Sequence, residues 1–293
     1  MTTGQTIAVL GIGNMGFPVA RRLCEAGFAV GAWNRTPAKA AALAGFGVQL
    51  HKQASAAASG ADIVISLLEN SAAVEAVLFG AGVAQAMKPG ALFIDMASIQ
   101  PREARDHAAR LGALGLAHLD APVSGGTLGA EDGTLAIMAG GRPADFERAL
   151  PVLAVLGRAT HVGPHGSGQL TKLANQMIVG ITIGAVAEAL LFTARGGADM
   201  AKVKEAITGG FADSRILQVH GQRMVERDFA PHGRLGIQLG DLQNALATAS
   251  EIGFDAPITA LFERLYAEGA EHGLADLDQS GLFVELASRN AMS

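Results

Sequence analysis

The stretch TIAVLGIGNMGFPVARRL (6–23) constrains the fold more than any other part of the chain. A short apolar strand candidate runs into GIGNMG (11–16), and a helical pattern extends from Asn14 to Ala26. The spacing G-x-G-x-x-G is weak alone but informative between a strand and a helix. Gly11 permits the tight turn, Gly13 lets the backbone approach a pyrophosphate, and Gly16 lets the helix pack on the strand. With Ile12, Asn14 and Met15 they make a loop ending at a helix N-terminus, whose free N–H groups and positive dipole favour an anion.

The alternation started there continues. TIAVL (6–10), FAVGAW (28–33), DIVISLL (62–68), ALFID (91–95), LAHLD (116–120), TLAIMAG (134–140) and ATHVG (159–163) read as strands, with helical patterns such as 101–111 in most gaps. This predicts an α/β fold, a Rossmann-type doubly wound, mainly parallel sheet covered on both faces. After Gly163 the pattern turns all-helical: a long helix over about 168–194, then helices near 199–209, 213–227, 237–252, 257–271 and 279–289, with Pro231 and Pro257 at breaks or first turns. The expected domains are a dinucleotide-binding domain over 1–163 and an all-helical domain over 164–293, joined by the long helix.

Size agrees, since 293 residues exceed the usual extent of one core. A net charge of -5 argues against a general nucleic-acid role. The single cysteine, Cys24, allows no intrachain disulfide and reads as a small buried hydrophobe, as expected in a reducing cytoplasm. The start, MTTGQTIAVLGIG, lacks a basic n-region and reads as leading straight into a strand rather than as a signal peptide. The uncharged apolar run 177–187 is too short to span a bilayer, so a buried helix and no membrane partner are expected.

The second strand ends in AWNRTPAK (32–39). An acid about 20 residues beyond the glycine loop would hold a ribose 2′-hydroxyl and favour NAD. Asn34, Arg35 and Thr36 stand there instead, with Lys39 a turn on. A guanidinium can fork onto a 2′-phosphate, and an amide and a hydroxyl can complete its shell. The expected cofactor is therefore NADP(H), with NAD less favoured; Thr36 also reads as a helix cap. LLEN (67–70) places Leu67 and Leu68 on the adenosine side. DMAS (95–98) places Ser98 near the nicotinamide or, equally well, as a cap before Pro101.

Two further stretches carry chemistry. DAPVSGG (120–126) offers the Ser124 hydroxyl and approachable N–H groups at Gly125 and Gly126, a small nest suited to a carboxylate, or a plain turn. GSGQLTKLANQM (166–177) heads the apolar helix yet carries Lys172 and Asn175 on one face, one turn apart. A lysine there needs either solvent or a partner.

Together, GIGNMGFPVARRL, DAPVSGGTLGAEDGTLAIMAGG and GPHGSGQLTKLANQ resemble the β-hydroxyacid dehydrogenases, in order and over the whole chain. The resemblance implies NAD(P)-dependent interconversion of short carboxylated aldehydes and hydroxyacids. It implies Lys172 as the catalytic lysine, Asn175 as a substrate-orienting amide, and Ser124, Gly125 and Gly126 as holders of the substrate carboxylate. The helix head would then face an interdomain cleft. It further implies a homodimer or homotetramer and a Lys-Asp-Leu motif; here QLGDLQNAL (238–246) retains Asp241, grouped with the cofactor contacts, but has Gly240 in the lysine's place. That loss implies a roomier, less positive site. An imine or bulkier-carbonyl reductase and a non-catalytic NADP-binding interaction protein are the alternatives. The histidines show no metal-ligand spacing and no metal is expected; His161 and His165 read as structural or surface residues. Gly180 and Gly184 predict close helix packing.

Overall fold

The computed structural model describes residues 4–292. Met1, Thr2 and Thr3, the head of the stretch read as leading straight into a strand, and Ser293 lie outside the described residues. The chain forms two compact units, residues 1–172 and 173–293.

In chain order the first unit contains β1 (Thr6–Leu10), α1 (Gly16–Glu25), β2 (Ala29–Trp33), β3 (Gln49–Leu50), α2 (Ala54–Ala58), β4 (Ile63–Ser66), α3 (Ser71–Glu75), α4 (Val83–Ala86), β5 (Leu92–Asp95), α5 (Pro101–Ala113), β6 (Ala117–Asp120), β7 (Val123–Ser124), α6 (Gly126–Asp132), β8 (Leu135–Gly141), α7 (Pro143–Leu156) and β9 (Gly157–Gly163). The sheet runs β3-β2-β1-β4-β5-β6-β8-β7, with β9 also on β8. It is parallel from β3 to β6; β8 is antiparallel to β6 and to β7, and β9 is parallel to β8. Alternate strand residues feed two cores. Ile7, Val9, Ile63 and Ile65 pack on one face, and Ala8, Leu10, Val64 and Phe93 on the other. This is the two-sided burial of a doubly wound sheet.

Local differences from the sequence reading have local causes. The segment after β2 forms two 3-10 turns, Pro37–Lys39 and Ala41–Phe46, and the Thr36 side chain caps neither. Helix α5 is capped by Gln100, in a reciprocal capping box with Glu103 and with Pro101 in its first turn, so Ser98 is not its cap. The two-residue strands β3 and β7 are too short for any periodic signal. Cys24 is half-buried rather than buried, its Sγ donating to the Phe46 carbonyl at 3.0 Å.

The long helix α8 (Ser167–Arg195) begins in the first unit and continues into the second. There follow α9 (Met200–Ile207), α10 (Arg215–Glu226), α11 (Leu235–Glu251), α12 (Pro257–Gly269) and α13 (Leu282–Arg289). Helix α8 is long and apolar enough to cross a membrane by length and composition alone. Yet it contributes Ile183, Ala187, Leu190 and Leu191 to a core shared with α10 and α13, which makes it a core helix. A Cβ at Gly180 would lie 2.7 Å from the Gln238 Nε2 and 3.3 Å from a Leu242 methyl; one at Gly184 would collide with the Phe262 ring. These glycines let α11 and α12 approach α8 closely, as their spacing predicts.

Candidate functional site

The glycine loop is built for close approach. Gly11 has φ +97°, and a Cβ there would sit 2.5 Å from the Leu67 carbonyl oxygen. A Cβ at Gly16 would overlap the Gly11 carbonyl. Nothing lies within 4 Å of a Cβ at Gly13, so the space beside that backbone is open. Ile12 is buried, Met15 half-buried and Asn14 exposed. These are the properties a pyrophosphate needs: a turn only glycine can make, ending at a helix that offers N–H groups.

The Asn34 carbonyl accepts from the Ile12 N–H at 2.9 Å, and its amide donates to the Thr36 carbonyl at 2.9 Å. Asn34 thus ties the glycine loop to the end of β2, a structural duty the sequence reading did not assign. Arg35, Thr36 and Lys39 are exposed beside it. Leu67 and Leu68 are half-buried at the end of β4, and the Leu67 N–H donates to Leu10 at 2.8 Å.

Toward the sheet's middle, Asp120 closes β6 and organises the start of α8. Its Oδ1 accepts from Gly166 N–H at 2.8 Å and its Oδ2 from Gln169 N–H at 3.0 Å. A Cβ at Gly168 would lie 2.3 Å from the Asp120 carbonyl oxygen, so only glycine lets the helix start this close. The buried Gln169 side chain then grips the loop after β5, accepting from Ile99 N–H at 3.1 Å and donating to the Ala97 carbonyl at 2.7 Å. Ser98, between those two contacts, is exposed. From this anchored helix start the Lys172 Nζ donates to the Val123 carbonyl at 2.9 Å. The lysine head therefore stands beside the Ser124–Gly126 turn. Ser124 is half-buried, Gly125 has φ +137° and Gly126 has φ +63°, with open space where a Gly126 Cβ would be.

Sequence reasoning missed Asp120 and Gln169. Both lie inside motifs it singled out, but only their tertiary partners reveal their roles. It also passed over Asp95, whose buried carboxylate accepts from Ser66 Oγ at 2.5 Å and from Ala97 N–H at 3.0 Å. Burial pushes Asp95 up to about 7 and Asp120 up to about 6, the hydrogen-bond donors offsetting part of each rise. His118, Asp120 and His165 bring ligand-type atoms within 4.8 Å of one another. Both Asp120 oxygens already serve backbone N–H groups. Burial, above all, holds the His118 ring well below its ordinary range, and it stacks on Phe93. Neither ring nitrogen of His118 has a hydrogen-bond partner among the described residues. His161 binds the Gly141 carbonyl at 2.8 Å.

Within the second unit, the half-buried Asn175 donates from Nδ2 to Gln176 Oε1 at 2.8 Å, and Gln176 donates from Nε2 to Asp241 Oδ2 at 2.5 Å. Gly240 lies beside Asp241 on α11, with nothing within 4 Å of where its Cβ would be.

Residues 6–164 match the family described as the NAD binding domain of 6-phosphogluconate dehydrogenase, and residues 166–286 match the one described as NAD-binding of NADP-dependent 3-hydroxyisobutyrate dehydrogenase. The chain is 41% identical to 2-hydroxy-3-oxopropionate reductase of Escherichia coli, over 96% of both chains. It is 35% identical to 3-hydroxyisobutyrate dehydrogenase of Pseudomonas aeruginosa, over 94% of this chain and 95% of that one. The solved structure of Mycobacterium tuberculosis 3-hydroxyisobutyrate dehydrogenase with L-serine superposes with a TM-score of 0.87 at 33% identity, covering 96% of this chain and 99% of that one.

Proposed function

Because the chain belongs to the 3-hydroxyisobutyrate dehydrogenase-like family and is an NAD(P)-dependent hydroxyacid dehydrogenase, we propose that it reduces a short carboxylated aldehyde, of the tartronate semialdehyde, glyoxylate or succinic semialdehyde type, with NADPH. The observation that carries this reading is the Lys172 Nζ held 2.9 Å from the Val123 carbonyl, at the edge of the Ser124–Gly126 turn. A cation and an anion nest then stand side by side, as an aldehyde bearing a carboxylate requires.

The cofactor-side residues fit a dinucleotide. Gly11 to Gly16 would hold the pyrophosphate, Leu67 and Leu68 would flank the adenosine, and Ser98 and Asp241 would stand toward the nicotinamide. Arg35, exposed beside the tethered Asn34, would take a 2′-phosphate with the Thr36 hydroxyl, which supports NADPH over NADH. When bound, the cofactor supplies the hydride that the aldehyde carbon accepts.

The protein's own residues do the rest. The Ser124 hydroxyl and the N–H groups of Gly125 and Gly126 bind the substrate carboxylate. Asn175, three residues along α8 from Lys172, orients the substrate. The Lys172 ammonium donates a hydrogen bond to the carbonyl oxygen, stabilises the charge developing there and transfers its proton to it, leaving a neutral amine. In the oxidative direction that neutral amine removes the hydroxyl proton. The Asp120 and Gln169 contacts fix the helix start from which the lysine reaches. Gly240 stands where the family pattern has a lysine, which supports a substrate larger or less acidic than that pattern implies. The exposed Ile178, Phe192, Ile237 and Phe254 support self-association as a homodimer or homotetramer, and the single cysteine supports work in a reducing cytoplasm.

The test is steady-state oxidation of NADPH and NADH with tartronate semialdehyde, glyoxylate, succinic semialdehyde and methylmalonate semialdehyde. NADPH-linked turnover of at least one is expected, and Lys172→Ala should nearly abolish it while NADPH still binds. Near-normal turnover in that variant would sink the mechanism.

A further inference from the structure

We propose that Gln176 is a positioning residue: an Asp241–Gln176 relay fixes the Asn175 amide so that its carbonyl oxygen is offered to a hydroxyl group on the substrate. The inference rests on the reading of Asn175 as a substrate contact and deepens it to a substrate class, aldehydes that carry a hydroxyl besides the carboxylate.

The relay has one polarity. A carboxylate only accepts hydrogen bonds, whereas a primary amide has an accepting end and a donating end. Asp241 Oδ2, 2.5 Å from Gln176 Nε2, therefore requires that Gln176 turn its NH2 toward α11. That leaves Gln176 Oε1 facing Asn175, where it accepts from Nδ2 at 2.8 Å. Asn175 must in turn point its NH2 at Gln176, and its Oδ1 is left to face away. A single anion on α11 thus decides which end of an amide on α8 is available.

The backbone beneath the relay is also held. Gln238, buried on α11, donates from Nε2 to the Gln176 carbonyl at 3.0 Å. The two helices come this close because Gly180 has no side chain: a Cβ there would lie 2.7 Å from that same Gln238 Nε2. Tyr266, fully buried, reaches the Gly180 carbonyl with its hydroxyl at 3.4 Å. Gln176 is half-buried, yet both ends of its side chain and its main-chain carbonyl are engaged.

An amide oxygen presented in this way discriminates. A substrate hydroxyl can donate to it. An analogue without the hydroxyl leaves it unpaired, and sites built to bond a hydroxyl reject such analogues strongly. The non-reacting hydroxyl of tartronate semialdehyde is such a donor; succinic semialdehyde has none.

The experiment compares kcat and KM for these two aldehydes in the wild type, Gln176→Met, Asp241→Asn, Gln176→Glu and the double variant Gln176→Glu/Asp241→Asn, with NADPH saturating. Methionine keeps the length of Gln176 and removes its hydrogen bonds. We expect Gln176→Met to lower kcat/KM for tartronate semialdehyde about tenfold, mainly through KM, with succinic semialdehyde changed less than about twofold. Asp241→Asn removes the fixed polarity and should act in the same direction. The double variant exchanges the two chemistries. Its carboxylate on α8 accepts both from the new amide on α11 and from Asn175, so the Asn175 oxygen again faces away. It should recover most of the lost discrimination, whereas Gln176→Glu alone, with two carboxylates opposed, should not. Equal losses for both aldehydes in Gln176→Met, or a double variant no better than Asp241→Asn, would overturn the proposal. A wild type inactive on both aldehydes overturns the substrate reading instead. The relay is then read from the Asn175 side-chain amide 1H–15N signals, which must shift in Gln176→Met and return in the double variant, or the relay falls too.

Discussion

Replacing Asp95 by Asn should make the first unit's stability less dependent on pH, and the structure gives the size of the effect. Asp95 ends β5 with no solvent exposure. Its Oδ1 takes both the Ser66 Oγ and the Ala97 N–H, while Oδ2 has no partner. Burial, partly offset by those two donors, pushes its carboxyl from 3.8 to about 7. The folded protein therefore keeps a proton that the unfolded chain releases. With a raised folded value, the group's contribution to stability is complete below pH 3.8 and is lost as pH rises to about 7. At about 1.4 kcal/mol for each step of one in pKa, the whole loss is about 4 kcal/mol. Roughly 3 kcal/mol of it falls between about pH 5 and pH 8. Asparagine reproduces the protonated form: its oxygen can accept from Ser66 and Ala97, its NH2 replaces Oδ2, and it does not titrate. Urea unfolding followed through Trp33, the only tryptophan and part of the same unit, should show Asp95→Asn gaining on the wild type as pH rises from 5 to 8. A gap that stays constant, or that moves against the variant, refutes the assignment of a neutral buried carboxyl.

Other outcomes follow from the site. Arg35→Ala should raise the KM for NADPH by about tenfold or more, the loss of a charge-assisted bond to phosphate, and leave the KM for NADH nearly unchanged; equal changes would remove the 2′-phosphate assignment. Gly240→Lys has room for its side chain and should stabilise α11 by up to ~1 kcal/mol; it should also shift the ranking of the aldehydes toward smaller, more acidic ones, read from kcat/KM across the panel. Phe192→Glu places a charge on an exposed apolar position and should lower the mass seen by light scattering after size exclusion if that surface joins copies of the chain.

The fold was readable wherever one local rule governs a long enough segment. The parallel strands around β1 are buried on both faces, so each appears as a continuous apolar run. Gly11 and Gly16 have side-chain space closed by the backbone itself, which is why their spacing carries meaning across sequences. Illegible parts lacked that local logic. Strands β3 and β7 have two residues each and exist only because a neighbour pairs with them. The helix expected after AWNRTPAK breaks into 3-10 turns, and Thr36 caps nothing although its type allows it. Gln100 takes the cap that Ser98 could have served, because its reciprocal partner Glu103 lies one turn on.

The candidate site divides in the same way. Lys172 could be singled out because a charged head on an apolar helix is a local contradiction that needs a resolution. Asp120 and Gln169 present no such contradiction: a polar residue after a strand, or before a helix, has many uses. What defines them is distance in space across distance in sequence, since Gln169 meets Ala97 and Ile99, and Asp120 meets Gly166 and Gln169. Gln176 is the extreme case. Nothing in its type or position says which way its amide turns; the answer lies in Asp241, on another helix. A sequence motif can therefore point to a candidate group while remaining silent on polarity. On the proposed reading, polarity decides whether Asn175 offers a donor or an acceptor, and with it which of two aldehydes of similar size is preferred.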